Sequence, residues 1–114
     1  NVASGGNLLA SRHVPQAIVD GFLSAEGHIG DRLVAAMRAA IAEGGEEGPV
    51  HSAGMKIVDK VAWPVAELRC DWSEECPIEN IAAAWEVYKP QLDAYLQRAL
   101  DPREAPSYGV PGDE

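Results

Sequence analysis

Apolar positions along this chain follow a helical period, then a strand period, then a helical period again. Val14, Ile18, Val19, Phe22 and Leu23 are spaced by three and four, which predicts a helix from about His13 to Ala25 with one buried stripe. Ser11 or His13 stands near its cap, Pro15 falls in the first turn where a missing N–H costs nothing, and Gly27 is placed to end it. A second stripe, Ile29, Leu33, Val34, Met37 and Ile41, predicts a helix from Ile29 to Glu43 that leaves Asp31, Arg32, Arg38 and Glu43 to water. The run Gly44-Gly45-Glu46-Glu47-Gly48-Pro49 breaks it.

Two alternations follow. Between Val50 and Asp59, Ala53, Met55 and Ile57 alternate with Ser52, Gly54 and Lys56, which predicts a strand. A cleaner one places Ala66, Leu68, Cys70 and Trp72 on one face and Glu67, Arg69 and Asp71 on the other. Cys76-Pro77 then opens the longest helix, whose seam Ile78, Ile81, Trp85, Tyr88, Leu92, Tyr95 and Ala99 needs a large partner surface. Pro90 should kink it or divide it into two abutting helices. At the other end, Asn1-Val2-Ala3 reads as the middle or end of a strand, and a start at Asn1 suggests that an upstream part has been cut away.

Composition narrows the partners. A formal charge of -9 opposes nucleic-acid backbones and anionic membrane surfaces. No apolar run approaches the ~20 residues of a membrane span, and no secretory signal pattern is present, so a cytoplasmic protein is expected. Cys70 and Cys76 lack the paired spacing and the neighbouring histidines of a zinc site. Two reduced thiols, no metal and no cofactor are the expectation.

Candidate chemistry centres on Ser4-Gly5-Gly6-Asn7-Leu8-Leu9-Ala10-Ser11. Glycines without a Cβ can aim their amides at a ligand, and Asn7 offers both a donor and an acceptor, a set able to hold an oxyanion. A glycine bulge with Asn7 satisfying a local turn is the competing account. Arg69 and Asp71 suit either a binding face or mutual ion pairing. His51 suits either a pocket or a plain surface loop beside Pro49.

Several segments together resemble a known family: Gly6-Asn7-Leu8-Leu9-Ala10, the helix pair with its Gly44-Gly45 loop, His51-Ser52-Ala53-Gly54-Met55, Trp85 through Gln91, and Arg98-Ala99-Leu100-Asp101-Pro102 with the ending Ala105 to Glu114. They are similar to the carboxy-terminal half of the mostly bacterial domain-of-unknown-function ten-twenty-eight family, which is placed among the amino-terminal-nucleophile (Ntn) hydrolases. The resemblance implies an α+β protein, an αββα sandwich of which residues 1–101 supply about half, followed by an extended Pro/Gly-rich tail at 102–114.

It also implies hydrolysis of an amide bond in a small substrate. The nucleophile of such an enzyme is the first residue of a mature chain, with its own α-amine as base. Asn1 has no hydroxyl or thiol, so the nucleophile is expected on the amino-terminal half of the same precursor, with a homo-oligomer of the resulting heterodimer. By likeness, Asn7 and the Gly6 backbone would serve the oxyanion, and His51 and Ser52 would line the pocket. A non-catalytic assembly module that kept the same fold is the alternative.

Overall fold

The computed structural model describes residues 1–106. Helices α1 (Val14–Ser24) and α2 (Ile29–Ala42) come first, then strands β1 (Ala53–Ile57) and β2 (Ala66–Cys70), then α3 (Pro77–Tyr88) and α4 (Leu92–Leu100). The strands pair antiparallel in one two-stranded sheet, with Met55 opposite Leu68. The helix and strand expectations hold in type, with strands shorter than the sequence spacing suggested. Pro90 acts as expected: a 3-10 turn over Lys89–Gln91 separates α3 from α4.

The core lies between the inner face of this hairpin and the helices. Met55, Ile57, Val65 and Ala66 meet Val34 of α2 and Ile81, Ala82, Trp85 and Leu92. Trp85 is the hub. Its indole N–H donates to Asp31 at 2.9 Å, and Asp31 also takes the Lys89 ammonium and the His28 backbone N–H. His28 caps α2 in turn, its Nδ1 accepting from the Gly30 N–H. Gly30 is buried against the Trp85 ring, where any Cβ would overlap the indole, so only glycine lets α2 begin there.

Three expectations need correction. Asp31, Arg32 and Arg38 are not simply left to water: Arg32 stacks over Phe22, and Arg38 makes a two-pronged ion pair with Glu79 of α3 at 2.8 Å. Trp72 does not continue the inner face of β2, which ends at Cys70; it stacks on His51 instead. Residues 1–7 form no strand. A strand is held by its neighbour's hydrogen bonds, and among the described residues the β pairing of the amino-terminal segment is the isolated bridge of Leu9 to Glu46. Before and within the expected tail, Asp101 to Ala105 form a turn closed by Glu104 N–H to Asp101 O, and the remainder of that tail, residues 107–114, lies outside the described residues.

Candidate functional site

Two glycines at the end of α2 build the frame. Gly44 and Gly45 both adopt left-handed φ, 115° and 60°, which lets their N–H groups turn back to Ile41 and Ala40 and close the helix. The loop so formed receives the amino-terminal segment. Ala10 N–H donates to Gly45 O at 2.9 Å, and Glu47 N–H donates to Leu8 O at 2.7 Å. The Ser4 hydroxyl fastens the same segment to α1 through Pro15 O.

The conformational freedom expected of Gly5 and Gly6 is used elsewhere. Neither has positive φ. Leu8, 74% exposed, carries it instead at 52°. A γ-branched side chain in the left-handed region stores strain of order 1 kcal/mol, held here by the bond from Glu47. Asn7 is exposed immediately before it, and among the described residues its side chain makes no hydrogen bond. The local turn that would have used up the Asn7 amide is therefore not formed.

Gly5 and Gly6 face a cavity of about 260 Å³ between the amino-terminal segment, the helix pair and the start of β1. Its walls are mostly aliphatic, including Val14, Ile18, Met37 and Ile41. Ser52 and Glu46 are its polar side chains. The structure thus brings Gly6 and Ser52 to one cavity with Asn7 on the adjoining turn.

His51 belongs to a neighbouring cleft with Glu74, Glu75 and Cys76. Its Nδ1 lies 2.8 Å from Ser73 O, and a carbonyl can only accept, so the Nδ1 carries the proton of this bond. Ser73 N–H returns a bond to His51 O, which staples the β2–α3 loop to the approach of β1. Arg69 and Asp71 pair with each other at 2.8 Å with 70% and 78% of their side chains exposed. They stand on the sheet face turned away from the helices, apart from the cavity, and mutual pairing is the account the geometry favours.

Sequence spacing had no means of singling out Leu8 or Glu46. Both owe their place to the contact between residues 8–10 and the Gly44–Gly48 loop, a pairing of segments more than thirty positions apart. Among the described residues no group of three or more His, Cys, Asp or Glu side chains could hold a metal ion, and no helix is long and apolar enough to cross a membrane.

Helices layered on an antiparallel hairpin, with an apolar cavity under a glycine-rich segment, define an α+β unit. The chain belongs to the family of unknown function DUF1028, whose model matches residues 1–81. The fold is shared with the crystal structure of DUF1028 protein SPO2555 from Silicibacter pomeroyi, at 21% identity and a TM-score of 0.72. That match covers 96% of this chain but 48% of the Silicibacter protein, so this chain spans about half of its length. A search of the curated proteins finds no match.

Proposed function

We propose that this chain is the non-nucleophile part of an Ntn-type amidohydrolase, one half of an αββα sandwich, and that Asn7 with the Gly6 backbone serves the oxyanion of the tetrahedral intermediate. The observation that carries this reading is the Asn7 amide. It is exposed with no side-chain hydrogen bond among the described residues, it precedes the strained Leu8, and it follows Gly6, which lines a cavity with Ser52. A donor aimed where negative charge develops is worth ~10²–10³ in rate. The attacking group would come from the amino-terminal half, as an α-amine-activated hydroxyl or thiol. Ser52 would line the substrate's path, and His51, already oriented through Nδ1, would present Nε2 in the next cleft. The two unpaired thiols, Cys70 and Cys76, suit a cytoplasmic setting.

Asn7→Ala in the complete protein should lower kcat by at least about tenfold and leave KM and folding nearly unchanged, as for a group that acts in the transition state only. Turnover equal to that of the unsubstituted protein on the same amide removes Asn7 from the site. The assembly-module reading is favoured by one observation, the partly exposed apolar side chains Ile29, Met37 and Ile41 along α2. A Thr, Ser or Cys at the mature terminus of the other half supports the enzyme, and its absence supports the module.

A further inference from the structure

The 260 Å³ cavity is uneven in its chemistry. Its helix side is aliphatic, with Val14 and Ile18 of α1 and Met37 and Ile41 of α2. The polar groups lie on its loop side: the glycine backbone at Gly6 and Gly45, the Ser52 hydroxyl and the Glu46 carboxylate. The bridge between Leu9 and Glu46 sets Glu46 beside the amino-terminal segment, two positions along from Asn7. Two further spaces adjoin it, of about 180 Å³ against β1 and about 510 Å³ beneath Phe22 and Ile29, and Met37 borders all three.

Among the described residues, charge separates these spaces. No charged side chain lines the 510 Å³ cavity, and the one lining the 180 Å³ cavity, Lys56, is paired with Glu67. In the 260 Å³ cavity the one charged side chain is Glu46, which makes neither an ion pair nor a side-chain hydrogen bond among the described residues. Asp31, Glu67, Asp71, Glu79 and Asp101 each hold a lysine or an arginine. Glu46 also borders the cleft of His51, where Glu74 and Glu75 join it, and neither space has a Lys or Arg on its wall. A carboxylate at the rim of an aliphatic space attracts a cation and repels an anion, and the attraction strengthens as the walls displace water. At 260 Å³ the cavity lies just below the ~300–1,000 Å³ of sites for drug-sized ligands, so its occupant is small.

We propose that this cavity selects a small aliphatic α-amino amide with a free amine. The hydrocarbon branch would pack on Val14, Ile18 and Met37, the protonated amine would meet Glu46, and the carbonyl would lie toward Gly6 and Asn7. Such a molecule carries its amine and its carbonyl on one carbon and its branch on the opposite side, which matches polar groups on the loop side and aliphatic ones on the helices. The substrate class rests on the reading of Gly6 and Asn7 given above. Charge selection by Glu46 does not, and it is measured without turnover.

The test uses the complete protein and three probes with the same branched hydrocarbon: isoamylamine, isoamyl alcohol and isovalerate, each titrated at low salt while the amide resonances of Gly6 and Ser52 are followed. The protonated amine should bind about fivefold or more tightly than the alcohol, and isovalerate should bind most weakly. Glu46→Gln should bring the amine down to the alcohol and leave the alcohol unchanged. The side chain is exposed and unbonded, so the substitution should not disturb the fold. Isovalerate binding as tightly as the amine, an amine preference that survives Glu46→Gln, or no shift at Gly6 and Ser52 with any probe would each overturn the proposal. A Glu46-dependent amine preference in a protein that turns over no amide, leucinamide included, sinks the hydrolase reading and leaves the charge selection standing. Turnover of amides that is indifferent to the free amine does the reverse.

Discussion

Trp85 on α3 is 1% exposed, whereas Met37 on α2, an apolar position in an equally regular helical stripe, is 37% exposed and borders three cavities. The region around Trp85 closes on itself because each layer has something opposite: the hairpin below, Val34 beside, Tyr88 reaching Val65 O with its hydroxyl, and Asp31 taking the indole N–H. The region around Met37 has helices on one side, and on the other it meets the edge of β1 and the amino-terminal segment across open cavities. Helical periodicity is identical in the two. What differs is how much of the surface facing each stripe the described residues cover.

The largest effect should come from the closed region. Ile57→Ala removes a side chain that is 4% exposed and surrounded by β2 and α3, and it should cost about 2–5 kcal/mol, through the lost transfer energy and the cavity left behind. Urea denaturation of the chain by itself measures it. A cost under about 1 kcal/mol would mean that this core is as loosely filled as the α2 face, and the contrast would be broken.

Next comes the joint between the two regions. Asp31 lies on α2 and gathers Lys89, the Trp85 indole and the His28 backbone, and Lys89 first, then the other two, hold its carboxyl below the ordinary carboxylate range. Asp31→Ala leaves the indole N–H of a buried Trp85 without its acceptor and should cost about 1–3 kcal/mol at pH 7. The pH dependence follows from the direction of the shift. A carboxyl whose folded pKa is depressed contributes stability that is complete above its unfolded pKa of about 3.9 and is lost as pH falls through the folded value. Unfolding of the unsubstituted chain should therefore ease below about pH 4, and the gap between it and Asp31→Ala should narrow there. A gap that stays constant down to pH 2 would show that the carboxylate's charge is idle and that the loss is one of shape.

How far the sequence could be read follows the same division. Helix and strand types, the stop at Gly44-Gly45 and the break at Pro90 were legible, because each rests on local period or local backbone chemistry. The helix stripe of α2 was legible as apolar but not as open, since exposure depends on a surface outside the stripe. Asp31 was misread as solvated because two of its three partners, Trp85 and Lys89, lie 54 and 58 positions away on α3 and the turn after it. At the candidate site the glycines were found and their conformation was not. The left-handed residue is Leu8, where no local signal favours it and a distant loop imposes it.

The smallest effect should come from the open region. Ile29 has the same side chain as Ile57, but it is 46% exposed at the first residue of α2, beside the widest of the three cavities. Little apolar surface leaves water there on folding, and alanine is the better helix former, so Ile29→Ala should change the stability of the chain alone by less than about 0.5 kcal/mol. The pair of isoleucines is thus one substitution made in a closed and an open layer. An Ile29→Ala cost as large as that of Ile57→Ala, read by the same urea denaturation, would erase the contrast between the two layers.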